Sequence, residues 1–390
     1  MMTWRIANRS ARRCIKRAEA ASRPRSVRVD EMVGHTSDGS VRAIAGTVML
    51  VVVLAAGCSS TAPAASIPPS QAQQPTGHPT IPVTPSPAIS ASATASADPA
   101  PTPIVVSKIP VEPALRTLWE VPAHAGEHPW LSEPAVDPSG RIWVPSPFDS
   151  DFLIVSPAGK VLDTWGTPGT DPGQFSFEAS GSGWGAIAFR SDGGFVVADS
   201  ADNRVEQFDK DRTYVRAFGS FGTEPGQLID PLDIAVGAND QVYVQSDARE
   251  DVQVFDGKGD YVRLLSSGTG PYVDTGPDGT IYVVVNGSGP AIRVYAPDGT
   301  WKATWDLREV LSFATDVAVT SSGRVFVGSE SSGGSTYNYE TLLELDQNGH
   351  AVHLWPNGTE AIAANATGDV LYATYSDQPA LLRALAIPAR

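Results

Sequence analysis

A chain of 390 residues with 42% apolar and 18% charged side chains is long enough to bury a sizeable core. Its charge is unevenly placed: up to Gly57 there are ten Lys or Arg against four Asp or Glu, and beyond it 18 against 39, so the remainder stands near −21. A surface that acidic repels phosphate backbones and anionic lipid headgroups, which argues against nucleic acid as a partner, and two cysteines, Cys14 and Cys58, provide no disulfide framework.

Residues 1–57 read as an n-region and signal peptide. The apolar run from Ala43 to Gly57 has fifteen residues, short of the roughly 20 that a spanning helix needs, and it follows Arg42 as a signal-peptide core would. A start at Met32 would give a signal peptide of conventional length, so no structure is expected of the residues before it. The run ends in Ala55-Ala56-Gly57-Cys58. Small residues before a cysteine resemble the lipobox of bacterial lipoproteins, which implies a diacylglycerol on the thiol of Cys58 and anchorage at the extracytoplasmic face of the cell membrane. The lipobox prefers Leu three positions before the cysteine; here Ala55 stands there and Leu54 one further back. A plain secretory signal with an incidental cysteine is the other reading.

Residues 58–110 are dominated by Pro, Ala, Ser and Thr up to Ser107, where Asp98 is the only charged side chain before Lys108. Too few large apolar groups are present to offset the entropy of ordering, so this stretch is expected to be a disordered tether.

From residue 111 to 390 the pattern changes to short runs of β-branched and aromatic residues between Gly, Asp and Asn clusters. One unit, Trp184 to Leu228, shows four such runs: 186–189, 194–199, 204–208 and 214–218. A four-stranded sheet cannot bury both faces by itself, so copies must pack face to face. The turn between first and second strands recurs at Gly140, Gly193, Asp240, Gly279, Gly323 and Gly368, six times. Six residues after the later turn of each unit stands an aromatic or a leucine, at Trp165, Phe218, Leu265, Trp305 and Trp355, and the sixth copy runs out before reaching it. Pro113 to Trp119 has the same spacing, which predicts that an N-terminal strand completes the last sheet. Closure into a ring leaves only short outer edges. The expected fold is an all-β, six-bladed β-propeller.

The residues Gly173-Gln174-Phe175 and Gly226-Gln227-Leu228 before a blade, Asp233-Ile-Ala-Val in a first strand and Asp202-Asn203-Arg204-Val205 at a second turn resemble NHL repeats over residues 111–390. Blades four to six depart from the pattern, lacking both the GQF-type element and Asn-Arg-Val. The chain is similar to bacterial lipoprotein propellers and to extracellular NHL sensor domains of mycobacterial membrane kinases, which implies a binding or sensor domain that recognises a protein, peptide or glycan in the cell envelope. Fold likeness leaves activity open.

Candidate chemistry is sparse. His124-Ala-Gly-Glu127-His128 spells a zinc-binding H-x-x-E-H, but Pro122, Pro129 and Gly126 oppose the helix that would align the imidazoles. His350 and His353 fall in the turn and fourth strand of blade five and are expected on an exposed edge. Arg204, with Asp199, Asp202 and Asn203, either forms a structural ion pair or, as the resemblance implies, faces a ligand at one end of the ring. No GxSxG elbow, phosphate loop or CxxC is present.

Counting seven residues back from each first turn gives Glu133, Ala186, Asp233, Tyr272, Asp316 and Ala361. These positions open the innermost strands, so Glu133, Asp233 and Asp316 should converge at one mouth of the central channel. Oxygen-only ligation suits calcium; the alternative is that each carboxylate accepts hydrogen bonds from the neighbouring blade. Gluconolactonase-like hydrolases and amidating lyases resemble this architecture and hold a divalent metal in the channel, which keeps a metal-dependent hydrolase or lyase as the second reading. The first is a monomeric, membrane-anchored, non-catalytic propeller with Arg204, Asp233 and Asp316 as ligand-facing residues.

Overall fold

The computed structural model describes residues 102–103, 109, 111–123, 131–179, 182–183, 185–268, 270, 272–329, 341–375 and 380–389. Cys58, the apolar run before it and the His124, Glu127, His128 motif lie outside these residues.

Six sheets each have four antiparallel strands, one of them extended by a fifth, parallel strand; five are built from consecutive segments of the chain, and the sixth joins three C-terminal strands to an N-terminal one. Blade two has the strands Ala186–Phe189, Phe195–Asp199, Arg204–Phe208 and Tyr214–Phe218, within one residue of the sequence expectation. Blade three runs from Pro231–Val236 to Tyr261–Ser267, blade four from Val273–Thr275 to Trp301–Asp306, and blade five from Asp316–Val319 to Ala351–Trp355. The second strands, such as Ile142–Ser146 of blade one and Val325–Ser329 of blade five, are buried at every residue. Both of their faces pack on neighbouring sheets, so they carry near-continuous apolar runs instead of alternation. Outermost strands alternate, as Tyr214–Phe218 does.

The core is divided into six clusters, one per blade interface. Trp143, Phe152, Phe175, Phe177, Phe195 and Phe208 fill the space between blades one and two. At the last interface Val121, Leu382 and Ala384 of blade six meet Ile142, Val144 and Leu153 of blade one, and the ring is closed.

Closure uses the N-terminal strand, as expected, at Thr117–Pro122, antiparallel to Leu381–Ala386. Its register differs from the spacing argument. In blades one, four and five Trp165 faces Phe152, Trp305 faces Ile292 and Trp355 faces Leu342; the residue facing the equivalent Leu382 is Val121, and Trp119 lies two positions earlier. No hairpin turn precedes this strand, so the count from a turn residue does not apply to it. The Trp119 indole instead donates to the Pro157 carbonyl of blade one at 2.9 Å and packs on Tyr372 at 5.7 Å.

The chain before this strand also departs from the expectation of a tether reaching residue 110. Thr102–Pro103 adds in parallel to the outer strand of blade four, Thr102 opposite Trp305. Val111 bridges in parallel to Leu354 of blade five, where Glu112 N donates to Leu354 O at 2.8 Å. The outer edges of these blades offer unpaired backbone groups, and an edge tolerates the missing N–H of proline.

Candidate functional site

Glu133, two residues before the innermost strand of blade one, comes together with Asp233 and Asp316 of the innermost strands of blades three and five, and Asp274 and Tyr272 of blade four join them. Asp233 Oδ1 accepts the N–H of Ile234 at 2.5 Å and Oδ2 that of Val273 in blade four at 2.6 Å. Asp274 accepts from Thr275 at 2.6 Å and from Val319 in blade five at 2.7 Å. Asp316 accepts from Val317 and from Ile362 in blade six, both at 2.6 Å. Each carboxylate therefore laces its own strand to the next blade, satisfying backbone donors at the strand starts.

Burial dominates the electrostatics of this mouth. It raises the Asp233 carboxyl to about 6 despite its hydrogen bonds, and Asp274 to about 7. Asp316 is raised well above the ordinary carboxylate range by burial and then by the charge of Asp233. Glu133 is likewise raised well above it by burial, then by the charges of Asp233 and Asp316. Asp233 is the neighbouring carboxyl it interacts with most closely. Glu133 Oε2 is buried without a hydrogen-bond partner. Burial also raises Tyr272, so its hydroxyl stays protonated.

A metal cage would need these carboxylates to be free to converge. Asp233 and Asp316 each have both oxygens engaged by amides, and among the described residues no group of three or more His, Cys, Asp or Glu is placed to hold a metal ion. The buried Oε2 of Glu133, which has no hydrogen-bond partner among the described residues, fits the demand for a further cationic or donor group.

Arg204 lies elsewhere, at the start of the third strand of blade two, with its side chain 16% exposed. Nε donates to Asp199 Oδ2 at 2.9 Å, Nη1 to the Thr170 carbonyl at 3.0 Å, and Nη2 to the Gln174 carbonyl at 2.9 Å. Glu206 lies 3.1 Å from Nη2. The guanidinium thus clasps the loop 169–175 that enters blade two. Asp199 supports the same loop through Ser176 N at 2.6 Å and is raised to about 7, burial outweighing Arg204. Glu206 is raised to about 6, again chiefly by burial. Arg249 does the same for the twin loop 222–228, donating to the Gly222 carbonyl at 3.1 Å while paired with Asp251 at 2.8 Å. His350 is exposed beside Asp346, and His353 lies half-exposed, 3.3 Å from Glu112.

Sequence reasoning missed Asp274 because Tyr272 occupies the counted position. Its signal was the strand alternation itself: Asp274 stands two residues on and so shares a face with Tyr272. The loop clasps had no such signal, because the arginines bind main-chain carbonyls some thirty residues away, to which any sequence could contribute.

No family model matches this sequence, and no curated protein matches it. Among solved structures the chain is similar to a gluconolactonase from Xanthomonas campestris, at 15% identity and a TM-score of 0.51, over 71% of this chain and 99% of that one. It is also similar to virginiamycin B lyase from Staphylococcus aureus, at 11% identity and a TM-score of 0.49, over 69% of this chain and 99% of that one. At such identities the likeness to the gluconolactonase is one of fold.

Proposed function

We propose that the chain is a membrane-anchored extracytoplasmic propeller of the NHL type that binds a protein, peptide or glycan and is not a catalyst. The observation that carries this reading is the lacing of the channel mouth. Asp233, Asp274 and Asp316 are engaged as acceptors for backbone amides of the next blade, which supports a scaffolding role for them over a metal-activating one. Anchorage rests on the small residues before Cys58 and the Pro/Ala/Ser/Thr stretch after it. Replacement of Cys58 by Ala is expected to release the protein from the membrane into the medium, and retention of the variant in the membrane fraction would remove the lipid anchor.

A divalent-metal-dependent hydrolase or lyase is the second reading, and one atom favours it, the unpartnered Glu133 Oε2 beside three carboxylates. Calorimetric titration of chelator-treated protein with calcium separates the two. Binding without catalysis predicts no calcium heat, or equal heats in the parent and in the Asp233→Asn, Asp316→Asn double variant. Saturable heat in the parent that is lost in that variant and in Glu133→Gln would establish the metal site and overturn the first reading.

A further inference from the structure

The opposite mouth of the channel, where the innermost strands end, holds a cavity of about 430 Å³. That lies within the range of small-molecule pockets, about 300–1,000 Å³. Val136, Phe189, Val236 and Ala364, the last residues of the innermost strands of blades one, two, three and six, form its apolar part. Asp137, Arg190, Ser191, Asn239 and Asp240 supply its polar part.

Two features set these polar residues apart from the rest of the ring. The first is Asp240. In the other five blades the first-turn position is glycine with φ between 72° and 84°, the left-handed region. Blade three places Asn239 at φ 61° and Asp240 at φ 55°, so two consecutive residues with side chains adopt a conformation that glycine would adopt without strain. The Asp240 carboxylate is thereby held at the cavity wall, accepting from Ser191 N at 3.0 Å and Ser191 Oγ at 3.1 Å. The second is Arg190. Its side chain is only 10% exposed. Nη1 donates to the Gly257 carbonyl at 2.9 Å, but Nη2 reaches Asp240 only at 3.4 Å, and Nε is buried with no acceptor, Asp192 standing 3.6 Å away. An enclosed guanidinium so incompletely satisfied is costly unless something else meets it.

The chemistry of a fitting ligand follows from the charges. Two carboxylates, Asp192 and Asp240, already flank the one guanidinium, so an anion is repelled. Both oxygens of Asp240 are engaged, and Asp137 is paired with Arg141 at 2.5 Å, so a cation finds no free carboxylate. What remains available is the second N–H of Arg190 Nη1 and of Nη2, each of which makes a single bond, and the side-chain amide of Asn239, above an apolar floor. We infer that this mouth is a binding site for a neutral, hydroxylated ligand with one apolar face, the chemistry of a sugar ring. The inference rests on the binding reading above, but it concerns the other end of the channel, so the calcium titration and the test below fail or succeed separately.

The test is an NMR titration of the isotopically labelled full chain with methyl β-glucoside, N-acetylglucosamine and, as a peptide probe, an N-acetyl dialanine amide. At least one of the two sugars is expected to bind with shifts confined to the residues of this cavity, and the peptide probe is not. Asp240→Gly installs the residue found in the other blades, so the fold is retained while the carboxylate that positions the Arg190 guanidinium at the cavity wall is removed, and affinity should fall about tenfold or more. Ala366→Trp, at an exposed position on the cavity rim, should block binding without touching Arg190. Binding of neither sugar, binding of the peptide probe alone, or sugar binding unchanged in both variants would overturn the site.

Discussion

The interfaces between blades one, two and three are held differently from those between three, four, five and six. In the first set, loops of nearly the same sequence, GTDPGQF and GTEPGQL, enter the next blade and are clasped by Arg204 and Arg249. In the second set the loops are missing, Arg293 of blade four still reaches the Ser267 carbonyl of blade three at 2.6 Å, and buried carboxylates lace the blades: Asp233 bonds across to blade four, Asp274 to blade five and Asp316 to blade six. The outer edges of blades four and five also gain the N-terminal arm at Thr102–Pro103 and Val111. Apolar side chains on the outermost strands show the converse, with Val161 and Leu162 of blade one, Val215 of blade two, and Val262 and Leu264 of blade three all between 43% and 48% exposed. A repeat protein is a set of nearest-neighbour interfaces, and here the half whose repeats have degenerated in sequence is secured by side-chain laces and by an added strap.

The largest effect expected from breaking this arrangement is at the seam that neither device covers. Removal of residues 111–121 takes away most of the strand that closes blade six, together with Val121 from the final core cluster, and should abolish the cooperative thermal transition. Removal of 59–95 should leave that transition unchanged, and identical melting of both truncations would refute the closure.

Next in size is Arg204→Ala, which frees the loop and leaves Asp199 and Glu206 buried without their cation. A loss of about 3–5 kcal/mol at pH 8 is expected for such a broken pair. These two carboxyls have folded values raised to about 7 and about 6. The stability they contribute is therefore present at low pH and lost as pH rises through 6 to 7, and removing the cation extends that loss. Denaturant titrations should accordingly show a smaller penalty for the variant at pH 5 than at pH 8; an equal penalty at both would break the clasp argument.

A smaller effect is expected of Asp316→Ala, which strips the acceptor from Val317 and Ile362. Each buried amide left unpaired costs about 1–3 kcal/mol, but the change also removes a charge that repels Asp233 and Glu133, so a net loss of about 2 kcal/mol should appear in chemical denaturation. A neutral or stabilising outcome would mean that repulsion at the mouth outweighs the lace.

Much of this architecture is legible in the sequence, because turn glycines and strand aromatics recur for local reasons of backbone conformation and burial. That is why blade two can be delimited almost to the residue, and why Glu133, Asp233 and Asp316 can be brought to one mouth by counting. Counting fails where a segment has no preceding hairpin, as at Val121 and Trp119, or where a neighbour takes the counted place, as Tyr272 does for Asp274. It also fails where the partner is main chain. Arg204 could be read as facing a ligand because its targets, the carbonyls of Thr170 and Gln174, have no signature of their own.

The closing strand sets an order of events in the birth of the molecule. Glu120 and Arg383, which pair across the seam, are separated by 263 residues, whereas consecutive strands of blades one to four are joined by short connections. Since loop closure over so long a segment comes late, the intervening blades can assemble while the first-made strand stands idle. A ribosome that stops short of Leu381 leaves that strand without its partner, and the unsealed array exposes the flanks of blades one and six. Integrity of the two ends is thus built into the fold itself: a polypeptide missing either strand cannot form the sixth interface and leaves strand edges open.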